Sequence, residues 1–300
     1  MRTINIPSAF NSYWGVFLTL GCNYTCPFCI QKLAGEVPHY DIASGDKWVE
    51  ALNSIEGRAR KRFLRGNKVR KLSLIGGEPT LHPDFFDIVN GLDYNWSLTV
   101  TTNLGTKAFD DIGTFAKKVK RKKKIRFHLS FHDGCADTDE FIAKTRDLKR
   151  AGVNVNRIFT VCYPPDEPGR FEEYQSIFKR NGLFLRKQRY NGFYKDKLYP
   201  SGGDESGFEF KDNITDYEEY HKGCSMKKKE PVYCKVNKIL FAPNGDVYNC
   251  HYKVYTGCQD HYGNLFSSGP TINVPQDYFL CDDYGHCNPC DWPYAQFKEM

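Results

Sequence analysis

Between residues 14 and 190 the chain alternates six β-rich apolar runs with five stretches of helical period, and that alternation leaves few folds open. Parallel strands cannot be joined by tight turns; each crossover needs a helix, and the helices cover the sheet. The runs are residues 14–20, 71–75, 98–102, 125–131, 153–162 and 183–190. Between them, Ser44 caps a helix with Trp48, Leu52, Ile55 and Ala59 on one face and Gly66 at its end, and Pro83 opens a second with Phe85, Phe86 and Val89 inward. Phe109, Ile112, Ala116 and Val119 mark a third, Phe141, Thr145 and Leu148 a fourth closed by Gly152, and Phe171, Tyr174, Ile177 and Phe178 a fifth closed by Gly182. The prediction is an α/β fold built on a parallel sheet.

Period-2 patterning assigns the faces. In 125–131, Phe127, Leu129 and Phe131 alternate with Arg126, His128, Ser130 and, just beyond, His132. Outer helices need the apolar set, so the polar set turns inward. The same rule places Thr99, Thr101 and Asn103 inside on the third strand, Asn156, Thr160 and Cys162 on the fifth, and Arg186, Gln188 and Tyr190 on the sixth. Were this sheet closed into a barrel, a filled interior would be dominated by branched apolar residues; the polar lining predicts a wet cavity instead, with Arg126, His128, Arg186 and Gln188 as substrate contacts. His128 serves equally as an interior histidine that positions a neighbour.

A loop at the first strand's carboxyl end reads Cys22-Asn23-Tyr24-Thr25-Cys26-Pro27-Phe28-Cys29. Iron–sulfur cubanes normally take four thiolates, so three leave one iron open. Zinc sites more often pair C-x2-4-C with a matching second pair. Twelve cysteines with no secretory segment at the N-terminus point to metal binding rather than disulfides, and no apolar run is long enough for a bilayer; a cytoplasmic, oxygen-sensitive protein is expected. The net charge of +6 gathers at residues 58–62 with Arg65 and at 117–124, both expected late in helices. No aromatics alternate with these charges, which favours solvated helix faces over a nucleic-acid patch.

Cys22, Cys26 and Cys29, with Phe28 before the last thiol, resemble the cluster loop of the radical S-adenosylmethionine (radical SAM) enzymes. Gly76-Gly77-Glu78-Pro79, directly after strand 71–75, resembles the loop with which that family receives the methionine amino group. The resemblance implies a partial (βα)6 TIM-like barrel over residues 1–195, with the cluster loop at 21–30. It implies a catalytic [4Fe-4S] cluster on the three thiols and an external electron donor such as flavodoxin or ferredoxin. S-adenosylmethionine contacts would fall at Gly76, Gly77, Glu78, Pro79 and Asn103, at Ser130 for the ribose and at Val161 for the adenine.

Past Tyr190 the chain turns rich in Gly, Pro and Ser, and a second, cysteine-rich unit is expected over 196–300, with Cys224, Cys234, Cys250, Cys258, Cys281, Cys287 and Cys290. A β-hairpin turning at Asn244-Gly245 would bring Cys234 and Cys250 together, and Cys287-Asn288-Pro289-Cys290 supplies a second pair; four ligands make a closed cluster, with zinc as the alternative. The segment resembles the auxiliary-cluster domains called twitch and SPASM: Cys234, Gly245 and Cys250 fit their opening pattern. Cys281, Cys287 and Cys290 depart from the SPASM ending, which favours the one-cluster twitch form while leaving two clusters open.

The resemblance implies hydrogen abstraction from a polar, hydroxyl-rich or anionic small molecule. Loss of an electron to an auxiliary cluster would give oxidation; hydrogen return from Cys162, Cys258 or Cys281 would give epimerisation, with His132 touching substrate or cofactor. Two alternatives stand: a peptide-modifying maturase, and a non-catalytic iron–sulfur or zinc protein that binds a partner or nucleic acid.

Overall fold

The computed structural model describes residues 3–6, 13–31, 36–56, 59–62, 66–165, 167, 169–188, 190, 192–194, 197–199, 232–267, 269, 271–275, 277–281 and 295–298. In chain order these form β1 (Tyr13–Phe17), α1 (Gly45–Asn53), β2 (Ala59–Arg62), β3 (Gly66–Ile75), α2 (Phe85–Gly91), β4 (Trp96–Thr102), α3 (Ile112–Lys118), β5 (Arg126–Phe131), α4 (Thr138–Arg150), β6 (Val155–Val161), α5 (Arg170–Arg180) and β7 (Leu185–Gln188). There follow β8 (Gly192–Tyr194), β9 (Lys197–Tyr199), β10 (Val232–Val236), β11 (Lys238–Phe241), β12 (Val247–Tyr248), α6 (His251–Thr256), β13 (Phe279–Cys281) and β14 (Ala295–Lys298).

The main sheet runs β12-β11-β1-β3-β4-β5-β6-β7, with β2 paired to β3. The six strands from β1 to β7 in this path are parallel, giving the mostly parallel sheet of a partial TIM-like barrel. Phe127, Leu129 and Phe131 are fully buried against the helices: Phe115 meets Phe127 at 5.8 Å, and Phe141 and Phe178 each meet Phe131 at 5.3 Å. Truncating one such ring to alanine costs about 3–5 kcal/mol. Among the described residues no helix is long and apolar enough to cross a membrane.

Three expectations are corrected. The first helix stops at Asn53 because the extended chain beyond it is taken by the N-terminal segment: Ile4 N–H donates to Ser54 O (2.9 Å) and Glu56 N–H to Ile4 O (2.7 Å). Residues 59–62 then form an antiparallel hairpin with β3, and residues 120–124 form the turn between α3 and β5, so most of the basic residues lie outside helices. Continuing α1 would have stacked like charges three and four residues apart.

The second correction is a β-bulge. Phe127 pairs with Val155 but His128 with Arg157, so Asn156 is the extra residue and the alternation along β6 shifts by one. Arg157, Phe159 and Val161 share the inward face with His128 and Ser130, while Thr160 is buried on the helix side. Cys162 follows in the same phase, near Lys187 and Glu172 on that outer side.

Third, β11 joins β1 in parallel register, Trp14 opposite Ile239 and Val16 opposite Phe241, so the expected hairpin β11–β12 extends the barrel sheet itself. α6 packs on the inward side, His251 and Tyr255 meeting Phe17 at 5.8 and 5.7 Å. Two smaller sheets, β13-β10-β14 and β8-β9, complete the described strands.

Candidate functional site: the three-thiol loop and the inward face

The cluster loop leaves β1 and folds back on itself: Tyr24 N–H donates to Cys22 Sγ (3.4 Å) and Cys29 N–H to Cys26 O (3.2 Å). Cys22 is exposed, Cys29 half-buried and Cys26 buried. Burial pushes the Cys22 and Cys26 thiols above their usual range, Cys26 also because its S–H donates to Cys135, and burial pushes the Tyr24 phenol up to about 12. Thiols that resist ionisation when empty become ligands once a metal takes their protons' place. A cavity of about 480 Å³ opens beside them, walled by Gly21, Cys22, Tyr24 and Cys29 and, opposite, by His39 and Tyr40.

Three strand ends hold this loop. After β3, Gly77 N–H donates to Thr19 O (3.1 Å) and Glu78 N–H to Gly21 O (2.8 Å). The fit is so close that a Cβ on Gly77 would lie 1.9 Å from Gly21 O, and Gly76 has φ +130°. The Glu78 carboxylate is buried and accepts from Thr80 N (3.1 Å), Thr80 Oγ1 (2.7 Å), Thr102 Oγ1 (2.9 Å) and Asn103 N (2.8 Å). Burial raises its affinity for a proton while these donors oppose that. The side chain is thus committed to tying β3 to β4, and what the loop offers a ligand is the Gly76-Gly77 backbone. Pro79 is buried in the single helical turn that follows.

After β4, Leu104 adopts φ +60° and Asn103 Oδ1 accepts from Gly105 N (2.7 Å). That turn aims Asn103 Nδ2 at Asn23 Oδ1 (2.9 Å), with Cys22 Sγ 3.7 Å away. After β5, His132 Nδ1 lies 3.2 Å from Cys26 Sγ, and its ring stacks on Phe28 at 5.5 Å and 3°. Burial holds His132 down to about 4, so it is a neutral imidazole. The same turn brings up Cys135, and its Asp133 is pinned by Arg170 and by Tyr174 Oη (2.5 Å). Cys135, Asn23 and Tyr24 carry no sequence signal of their own; only the turn after β5 places Cys135 here.

The donor set fits an iron–sulfur cluster with one iron left over: three thiols on one loop, Cys22 and Cys29 facing open space, and glycine backbone pressed against the same loop. Ser130 is buried on the inward face near the carboxyl end of β5, and Val161 packs beside Cys26 and Phe28. Lower on that face Arg126 donates to Ser97 Oγ (2.9 Å) and Thr99 Oγ1 (3.3 Å), and His128 Nε2 meets Asn156 Oδ1 (3.0 Å). Arg186 and Gln188 pair with Phe159 and Val161 and so face inward as expected. Cys162 does not; its thiol, pushed up to about 11 by burial, belongs to the helix side, which removes it from the candidate hydrogen donors.

On the small sheet Cys234 is buried and shares an apolar cluster with Val236, Phe279 and Cys281. Cys250 is the residue before α6, and Cys258, just after it, packs with the cluster around Phe17. Cys224, Cys287 and Cys290 lie outside the described residues.

Comparison with known proteins bears on this arrangement. A "Probable GTP 3',8-cyclase" of Saccharolobus solfataricus is 26% identical over 227 residues, 71% of this chain and 65% of that protein, so the chain spans just under two thirds of that relative. "Mycofactocin maturase MftC" of Mycobacterium tuberculosis is 23% identical over 317 residues, 91% of this chain and 75% of that one. Among solved structures, Streptococcus suis SuiB bound to S-adenosylmethionine shares the fold, with a TM-score of 0.53 at 17% identity, over 87% of this chain and 62% of that chain. The family model described as "Radical SAM superfamily" matches residues 16–175, which include the three thiols and the glycine pair. The chain belongs to the radical SAM superfamily.

Proposed function

We propose that this chain abstracts hydrogen from a polar, anionic small molecule held on the inward face of the half-barrel. With S-adenosylmethionine and a [4Fe-4S] cluster bound, one-electron reduction of the sulfonium supplies a 5'-deoxyadenosyl radical. Cys22, Cys26 and Cys29 hold the cluster. Gly76 and Gly77 offer backbone to the methionine end, with Asn103, Ser130 and Val161 along the adenosyl part, and an external donor such as flavodoxin or ferredoxin delivers the electron. The observation that carries this reading is the pair of bonds Gly77–Thr19 and Glu78–Gly21, which fixes the glycine backbone against the thiol loop.

For the fate of the substrate radical, the relatives carry the names of a cyclase and a maturase, neither naming an oxidation or an epimerisation, and Cys162, one of three candidate donors for epimerisation, follows Thr160 in phase toward the helices. Bond formation within the substrate is the fate we favour. A second reading, peptide modification, is favoured by the alignment with MftC over 91% of this chain. An auxiliary cluster on Cys234, Cys250, Cys287 and Cys290, with Cys281 beside Cys234, belongs to the same proposal.

Anaerobically reconstituted protein with dithionite and S-adenosylmethionine should release 5'-deoxyadenosine, and a Cys22→Ala/Cys26→Ala/Cys29→Ala protein should release none yet keep about four irons on the auxiliary ligands. Failure of fully loaded wild type to release it sinks the radical reading. An iron-free triple variant sinks only the auxiliary cluster. Stimulation of release by small anions rather than peptides separates the two substrate readings.

A further inference from the structure

The inward face carries cations that the thiol loop does not use. Across the ladder Thr99 pairs with Arg126, His128 with Arg157, Phe159 with Arg186 and Val161 with Gln188, so Arg126, Arg157 and Arg186 climb one face toward the carboxyl ends of the strands. Among the described residues, no Asp or Glu occupies an inward position of β3 to β7. Arg126 is held by the neutral hydroxyls of Ser97 and Thr99, and Arg186 lies over the Phe184 ring at 5.4 Å. Arg157 and Arg186 are exposed, and neither has a carboxylate partner among the described residues. Like charges on neighbouring strand positions repel, and a bound anion removes that repulsion.

The heights matter as well. Each step of two residues rises about 6.6 Å, so Arg186 stands about 7 Å, and Arg157 about 13 Å, below the level of His132, whose Nδ1 touches Cys26 Sγ. Guanidinium forks match phosphate oxygens two at a time, and two of them with the His128 imidazole suit a multiply charged phosphate better than a single carboxylate.

We infer that Arg157 and Arg186, with His128, bind a phosphoryl group on the inward face below the thiol loop, and that the substrate is a phosphate ester. The inference deepens the reading above and rests on it. It is tested by anaerobic titration calorimetry of inorganic pyrophosphate into the cluster-loaded protein, with citrate as a carboxylate of similar charge. The expected result is saturable pyrophosphate binding at least about tenfold tighter than citrate, and about tenfold or more weaker in Arg157→Gln and in Arg186→Gln. Lys149→Gln on the exposed face of α4 should leave it unchanged, and Arg157→Lys, which keeps the charge, should recover part of it. Citrate binding as tightly as pyrophosphate, arginine variants that bind like wild type, or no saturable binding would overturn the inference. No turnover enters the titration, so intact pyrophosphate binding without 5'-deoxyadenosine release refutes the radical reading alone, and release without pyrophosphate binding refutes only the phosphate site.

Discussion

Replacing Gly77 with alanine strikes the contact on which the thiol loop depends. The new Cβ would meet Gly21 O at 1.9 Å, Gly21 C at 2.5 Å and Leu20 O at 2.5 Å, all backbone atoms that cannot rotate away. An ordinary carbon–oxygen contact is about 3.3 Å, so the loop must retreat by about 1.4 Å. The Glu78–Gly21 bond, now 2.8 Å, would then stretch past any useful length, and the Gly77–Thr19 bond at 3.1 Å would weaken with it. Two bonds at about 0.5–1.5 kcal/mol each give a loss of roughly 1–3 kcal/mol. At about 2 °C per kcal/mol for a chain of this size, melting of the metal-free protein should fall by about 2–6 °C. Because misplacing a reacting group by about 1 Å can cost about a hundredfold, 5'-deoxyadenosine release should drop by that order. Gly182→Ala is the control: Gly182 has φ +70° with nothing within 4 Å of the place an added methyl would take, so it should lose stability through backbone strain while keeping activity. A Gly77→Ala protein that melts within about 1 °C of wild type and keeps its activity would refute the clamp.

Three further outcomes follow from the same geometry. Glu78→Gln leaves an amide N–H facing Asn103 N–H or Thr80 N–H, neither of which can turn away, so urea unfolding should show a loss of about 2–4 kcal/mol; a loss under about 0.5 kcal/mol would show that the carboxylate is not the tie between β3 and β4. His132→Phe keeps a ring against Phe28 but removes the nitrogen at Cys26 Sγ, and hydrogen bonds to cluster sulfur raise reduction potentials; the potential of the loaded protein should move negative in a spectroscopic titration, and an unchanged value would leave His132 a packing residue. Buried His82 receives Asp84 N–H at Nδ1 (3.0 Å) and meets Ala43 O at Nε2 (2.9 Å), and burial holds its pKa below the ordinary value. The unfolded chain therefore takes the proton first: the stability His82 contributes is present above about pH 6.5 and is lost as pH falls below it. Denaturant midpoints that fall equally from pH 7.5 to 5.5 in wild type and His82→Asn would contradict this assignment.

Much of the site was legible in the sequence because it rests on local rules. The three thiols, the glycine pair and the alternation of Phe127, Leu129 and Phe131 with polar neighbours each need only their own segment. What failed needed partners far along the chain. Nothing in residues 54–56 announces that Ile4 will claim their backbone and stop α1. Nothing in β11 announces that it will add to the edge of β1 rather than stand apart. The bulge at Asn156 is the sharpest case, since one extra residue moved Thr160 and Cys162 to the helix side and put Arg157 inside, and strict alternation has no means of detecting it.

The barrel reaches the thiol loop through backbone more than through side chains. β3, β4 and β5 are neighbours in the sheet, and the turn after each bends back onto the loop. Gly76 at φ +130° and Leu104 at φ +60° occupy conformations that extended strands avoid, and Leu104, which has a Cβ, bears a cost of order 1–2 kcal/mol to do so. That strain turns Asn103 toward Asn23 and Cys22, and a Cβ on the following Gly105 would lie 2.5 Å from the Tyr24 hydroxyl. Three adjacent strand ends therefore fix one eight-residue loop from one side, leaving its other side, with Cys22 and Cys29, to the cavity. An arrangement that only had to retain a metal could close around it; this one is tied by backbone bonds where it touches the barrel and opens on a cavity on its other side.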